Sequence, residues 1–468
     1  MIAYSKKILF LFYSFAIISI VGCKKDFSDD NYVAYFGGEV INPKNNYVLF
    51  MKDDEVIDTL YLNNKNQFFK QFDSLSPGMY TFKHEPEYQY VYFDKNDSLM
   101  VRINSVDFDE SVVFCGRGDE KNNFLMELYL KNEDDKNKMF DLFDSPVNDF
   151  IKNIDSSFKT RKRFYEKKKE NLKWNDDFDL YAKSMLDFHH FAKKEIYPMA
   201  HKMRTGENVT SQLPPNYYNH RGKIDFNNKL LTTYSPFVRY LTHMMSNVSF
   251  NALKEVDLEE NVLELHLHKL NIADTLFKNE KIRNKIVNNI AFSYLLEDQD
   301  ANKNAIFLER YNQLSSDKEK INEINKIGVS IQQLKKGNEL PEIPLIDLNG
   351  KKISSKSILN KKSVVFFWTK NADSHMVSAH KKALDFMKKN PTYQYIAINM
   401  DDNQGEWKKI LETHQFGNIN EFRANDFEEL KEKWVITKLH RVILLDENGK
   451  IDNGFVNLFD VKFEKLLH

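Results

Sequence analysis

Cysteine is the scarcest chemistry in this chain: two residues, Cys23 and Cys115, among 468. With Cys23 modified, as argued below, no disulfide framework can form. Glycine (15) and proline (11) are also few, which disfavours long disordered linkers. A surplus of one charge is missing too, because 67 basic side chains balance 68 acidic ones, for a formal net charge of −1. A general nucleic-acid binder carries a basic surplus, so no nucleic-acid partner is expected. No internal repeat is visible. His189-His190 and His266 with His268 lack the i,i+4 spacing that puts two zinc ligands on one helix face, so neither pair is read as a metal site, and no cofactor is expected. Core material, by contrast, is generous, with 37 phenylalanines and 22 tyrosines. At roughly 150 residues per domain, the length suggests three domains.

Residues 1–22 read as a secretory signal. Lys6-Lys7 supplies the positive region, and Ile8–Val21 is apolar but shorter than the about 20 residues that span a membrane. The run ends in Ile20-Val21-Gly22-Cys23, which resembles the bacterial lipobox. That resemblance implies lipidation of Cys23 and a lipid anchor at a bacterial cell envelope, on the periplasmic or surface face of an outer membrane. An uncleaved anchor helix is the plainer alternative. Residues 23–30, with Lys24-Lys25-Asp26 and Asp29-Asp30, make a polar tether.

Residues 31–118 read as an all-β, sandwich-like domain. Tyr47–Met51, Val56–Leu62, Tyr80–Phe82, Tyr88–Phe93 and Leu99–Ile103 alternate or run apolar, with Asn, Pro and Gly clusters between them. Cys115 ends the last strand and is expected as a small buried hydrophobe. Arg117-Gly118-Asp119 spells an adhesion tripeptide, but a strand-to-helix turn with an Asp cap accounts for it. Residues 119–335 read as a helical domain of seven or eight helices, punctuated by Pro198, Pro214-Pro215 and Pro236. The basic run Arg161–Lys169 is expected to be a solvated helix face.

Residues 338–468 carry the most specific pattern. A buried strand, Val364–Trp368, stops at Thr369-Lys370-Asn371, and a helical pattern follows at once. A strand feeding a helix N-terminus is where α/β folds place anion sites and activated thiols. The stretch resembles thioredoxin-like proteins of the TlpA/ResA type, in which Phe-Trp and a three-residue spacer precede Cys-x-x-Cys. The flanking segments fit the same likeness. Leu340–Lys351 resembles the opening hairpin, Tyr393–Met400 the next parallel strand, and Val442–Asp446 with Lys450–Phe455 the closing hairpin, with a terminal helix over Phe459–Leu467. Residues 31–118 resemble the β-domain often fused to such lipoproteins.

At the four motif positions stand Ala372, Asp373, Ser374 and His375, and the position of the family's cis-proline is held by His440. Thiol–disulfide exchange needs a thiolate and a resolving cysteine, and none is present here. A non-proline cis peptide costs about 2.5–4 kcal/mol, so the peptide entering His440 is expected to be trans. Asp373, Ser374, His375 and His440 are the degenerate site positions. Three readings stand: Asp373 or Ser374 caps the helix, an Asp/Ser/His arrangement works as a nucleophile, or Asp373, His375 and His440 bind a metal. Capping is the simplest, so no catalytic, cofactor or metal residue is assigned. The expectation is a multidomain chain with an all-β N-terminal domain, an α-helical middle and a C-terminal α/β thioredoxin-like domain. It is expected to be a lipid-anchored binding or structural module with a peptide or protein partner. A thiol-disulfide oxidoreductase family member acting with a partner, or a rebuilt site, is the alternative.

Overall fold

The computed structural model describes residues 32–135, 139–253, 261–298, 300–401, 403–436, 438–460 and 463–467. The signal, Cys23 and the tether lie outside the described residues. Two compact units are present, one ending at Lys193 and the other starting at Lys194.

The first unit opens with eight strands: β1 (Ala34–Ile41), β2 (Tyr47–Lys52), β3 (Glu55–Tyr61), β4 (Gln67–Phe72), β5 (Gly78–His84), β6 (Glu87–Phe93), β7 (Ser98–Asn104) and β8 (Val113–Arg117). They form two four-stranded sheets, ordered β4-β1-β7-β8 and β3-β2-β5-β6. β1 and β7 run parallel, while the other neighbours described in these two sheets are antiparallel. Alternation turns one face of each sheet inward, and Phe36, Phe50, Phe82 and Phe93 meet in a shared core. The Phe36 ring lies 5.4 Å from Phe50 and 5.8 Å from Phe93. Each such ring contributes about 1.5–3 kcal/mol by leaving water. Asn42, Asp53, Asp54, Asn66 and Asn96 sit at positive φ, where short polar side chains tolerate the left-handed backbone. Phe114 points into the core, so alternation turns its neighbours Val113 and Cys115 outward. Cys115 is therefore exposed, not buried as expected.

The helices of this unit are α1 (Asp119–Glu133), α2 (Met139–Asp144), α3 (Val147–Leu172) and the first part of α4 (Asp176–Thr205). Gly118, at φ 98°, holds the strand-to-helix turn, and Asp119 is the first helical residue without acting as cap. Arg161 departs from the solvated-face expectation: it is buried, donating from Nε to Lys131 O at 3.2 Å and pairing with Asp135 at 2.8 Å. The same carboxylate lies 3.4 Å from His189 Nε2, and His190 stacks on Phe158 at 4.4 Å. Pro198 lies inside α4 and does not end it.

The second unit continues with α5 (Ser235–Ala252), α6 (Val262–Leu276), α7 (Glu280–Glu297), α8 (Ala301–Leu314) and α9 (Lys318–Gln333). Pro236 starts α5, where its missing N–H has no helical partner to lose. Among the described residues, nine helices of six residues or more lie between Asp119 and Gln333, one above the expected range. The six-residue α2 is too short for periodicity to mark.

A seven-stranded sheet follows, in the order β10-β9-β13-β12-β11-β14-β15. Its strands are β9 (Pro344–Ile346), β10 (Lys352–Ser354), β11 (Ser363–Trp368), β12 (Gln394–Asn399), β13 (Asn420–Ala424), β14 (Arg441–Leu445) and β15 (Ile451–Asn457). Every residue of β11 is buried, as a central strand covered on both faces requires. It runs parallel to β12 and antiparallel to β14. Its helices of eight residues or more, among the described residues, are α10 (Asp373–Lys389), α11 (Gln404–His414) and α12 (Phe427–Trp434). The expected terminal helix is reduced among the described residues to a 3-10 turn, Phe463–Leu466. The chain thus combines a β-rich N-terminal region, a helical middle and a C-terminal thioredoxin-like α/β domain. No helix among the described residues is long and apolar enough to cross a membrane.

Candidate functional site

The strand-to-helix turn after β11 is built by a carboxylate from the next strand. Asp401, just past β12, accepts from Thr369 Oγ1 (2.6 Å), Lys370 N (2.8 Å) and Asn399 Nδ2 (2.8 Å). Thr369 also caps the short 3-10 turn Lys370–Ala372 by accepting from Asn371 N at 3.2 Å. Helix α10 then begins at Asp373, with Ala372 in the cap position and no side-chain cap. The capping role expected of Asp373 or Ser374 is thus corrected: both lie inside the first helical turn, exposed, and the preceding turn makes the entry.

His375 turns inward from that first turn. It is half-buried, its ring meets Phe459 edge-on at 5.6 Å, and neither ring nitrogen has a hydrogen-bond partner among the described residues. Burial lowers its pKa, and the charges of His440 and His380 lower it further. His375 and His440 are therefore brought into electrostatic range of one another. Burial and Lys438 lower the pKa of His440 as well. No hydrogen bond joins Asp373 or Ser374 to either histidine among the described residues, so the arrangement offers no activated hydroxyl. Among the described residues no group of three or more His, Cys, Asp or Glu is placed to hold a metal ion. The only cis peptide among the described residues is Glu85–Pro86, so His440 follows a trans bond.

Arg441 next to it pins the loop. Its guanidinium is buried with no carboxylate partner among the described residues, donates to Gly454 O from Nε (2.9 Å) and Nη2 (2.7 Å), and reaches Val435 O. It also lies 4.1 Å over the Phe455 ring, and burial lowers its pKa. Val435 closes α12 in the left-handed region (φ 52°), so Arg441 ties that helix end to β15.

Behind the turn, Trp368 Nε1 donates to Glu421 Oε2 at 3.1 Å, and His380 Nε2 lies 3.0 Å from Glu421 Oε1. Neither Glu421 nor Arg441 stands out in the sequence, because a charge beside a polar residue, Asn420 or His440, reads as an outward position. His380, by contrast, reads as simply too far along its helix to join the site.

A family described as thioredoxin-like matches residues 360–451. Among solved structures, the thioredoxin domain of a thiol-disulfide oxidoreductase from Bacteroides vulgatus is similar at 23% identity. It covers 29% of this chain and 99% of its own, with a TM-score of 0.25. A thiol:disulfide interchange protein from Bacteroides sp. is 25% identical over 26% of this chain and 81% of its own, with a TM-score of 0.24. A thiol peroxidase from Chromobacterium violaceum is 16% identical over 25% and 73%, with a TM-score of 0.22. No curated protein matches.

Proposed function

We propose that this chain is a lipid-anchored protein of a bacterial envelope whose thioredoxin-like domain binds a partner and performs no thiol–disulfide exchange. One observation carries the reading: residues 338–468 contain no cysteine, and the positions of the dithiol hold Ala372 and His375. A thiol-free site has neither the attacking nor the resolving sulfur. The anchor is the lipid on Cys23, and the ligand is an extended peptide or protein segment lying beside the Lys370–His375 turn, where Phe459 is exposed. Nucleic acid is not a partner in this reading. Purified protein, without added thiols, is expected to leave insulin disulfides unreduced. Reduction at the rate of a cysteine-bearing thioredoxin-like protein overturns the proposal.

A second reading rests on the His375 nitrogens, which have no partner among the described residues, and on the electrostatic influence of His440 on that ring. The old site is then rebuilt around two imidazoles, with metal or with thiols supplied by a partner chain. Elemental analysis of wild type and of a His375→Ala, His440→Ala double variant decides it. Stoichiometric metal lost in the variant supports rebuilding, and no metal in either removes the metal form of it.

A further inference from the structure

The Glu421 carboxyl group meets two walls of the site at once. Oε2 accepts from Trp368 at the end of β11, and Oε1 faces His380 on the buried side of α10. The other ring nitrogen, His380 Nδ1, lies 2.7 Å from Met376 O. A carbonyl only accepts, so Nδ1 carries a proton. A neutral ring then presents a lone pair from Nε2, and an ionised carboxylate presents another lone pair to meet it. At 3.0 Å that contact is a hydrogen bond only with a proton between the two atoms. The opposite tautomer moves the same conflict to Met376 O. The geometry therefore calls for one proton more than a neutral histidine and an ionised glutamate carry together.

We propose that Glu421 and His380 share one buried proton that locks α10 and the end of β11 to β13, and that its loss as pH rises opens the lock.

The pair is sealed from water, with side-chain exposures of 0% for His380 and 7% for Glu421. Phe416 lies flat on the imidazole at 3.7 Å, and Phe366 and Trp368 meet it edge-on. Beyond the pair, the titratable groups on this side are His375 on α10 itself and His414 at the end of α11, which stacks on Phe416 at 5.3 Å. Arg423, two residues along β13, directs Nη1 to the Asp401 and Ala424 carbonyls. The β12 residue paired with Glu421 is Ala397, which carries no charge. Burial raises the Glu421 pKa, and the hydrogen bonds from His380 and Trp368 oppose that rise without cancelling it. A carboxyl group with a raised folded pKa contributes stability that is complete below its unfolded value, about 4.3, and is lost as pH rises through the folded value. The direction agrees with the proposed opening.

Glu421→Gln separates the proton from the shape. The amide N–H can donate to His380 Nε2 and the amide oxygen can accept from Trp368, with no proton to lose. Amide hydrogen exchange across 369–389 and 420–424 is followed in wild type and E421Q from about pH 5 to about pH 10. Once the shared proton leaves, wild type is expected to lose protection relative to E421Q by up to tenfold per pH unit, the slope of one proton. Parallel profiles across the range overturn the proposal. If E421Q fails to fold, nitrogen-15 shifts of the His380 ring and the carbon-13 shift of the Glu421 carboxyl decide in wild type. A neutral ring facing an ionised carboxylate near pH 6 overturns the proposal, and either singly protonated form of the pair supports it.

Discussion

Glu195→Gln tests whether a buried charge holds the middle of the chain together. Glu195, in α4, is fully buried, with a side-chain exposure of 0%. Four donors meet its carboxylate. Arg221 Nε and His220 Nε2 each lie 2.9 Å from Oε1, while Asn247 Nδ2 lies 2.7 Å from Oε2, which Arg221 Nη2 also reaches. The Tyr218 ring covers the Arg221 guanidinium at 4.0 Å. Amidation keeps the volume, removes the charge and turns an N–H₂ toward a donor. Breaking one side of a buried ion pair costs about 3–5 kcal/mol. Arg221 keeps 25% side-chain exposure, so the lower end, about 3 kcal/mol, is expected. The assay is urea unfolding followed by circular dichroism, with Asp385→Asn as a control. The Lys388–Asp385 pair is 79% and 59% exposed, and such pairs contribute little. The pH dependence has a definite sign. Burial pushes the Glu195 pKa up, but the Arg221 and His220 hydrogen bonds outweigh it, and the net shift is downward. A carboxylate with a depressed folded pKa stabilises above its unfolded value, about 4.3, and loses that stabilisation as pH falls through the folded value. Wild type and E195Q should therefore differ fully at neutral pH and converge in acid. A neutral-pH difference below about 1 kcal/mol, or one that survives acid unchanged, refutes the reasoning.

Two further outcomes follow from single side chains. Cys115 is exposed on β8, so a disulfide dye should titrate it in the native protein, at one thiol per chain once Cys23 is lipidated. A second native thiol would count against that lipidation. Arg441→Lys replaces a fork that reaches both Gly454 O and Val435 O with one ammonium, and a loss of about 1–3 kcal/mol in thermal or urea unfolding is expected. Unchanged stability would show that the fork is not what holds the α12–β15 junction.

Strands with an apolar face and a marked turn were readable in advance. Leu99–Ile103 and Tyr88–Phe93 lie within β7 and β6. Edge position hid β4, where Phe69, Lys70 and Gln71 are all exposed and the alternation that marks a half-buried strand fades. β13 was missed for a related reason. It has five residues, Asn-Glu-Phe-Arg-Ala, and its two charges read as surface. Their roles come from partners far along the chain: Glu421 meets Trp368 and His380, and Arg423 turns to the Asp401 carbonyl. Periodicity describes which face a residue occupies and is silent on what waits there. The buried Arg161 shows the same limit inside a run of like charges, since Asp135 lies across from it.

The candidate site divides along that line. Its backbone was legible because a local rule sets it: a fully buried strand must end where the polar spacer Thr369-Lys370-Asn371 begins, and a helix takes over. Its chemistry was legible only as an absence of sulfur. What the side chains at those positions meet depends on three-dimensional neighbours. Burial lowers the His375 pKa, as do two other histidines, 5 and 65 residues further along the chain. The residue after the trans-bonded His440 does most to hold the loop, because Arg441 draws α12 and β15 together through backbone carbonyls and the Phe455 ring. A buried cation satisfied by carbonyls is costly unless every donor is used. Its presence one residue from His440, with three hydrogen bonds to carbonyls on either side, holds this loop in one shape.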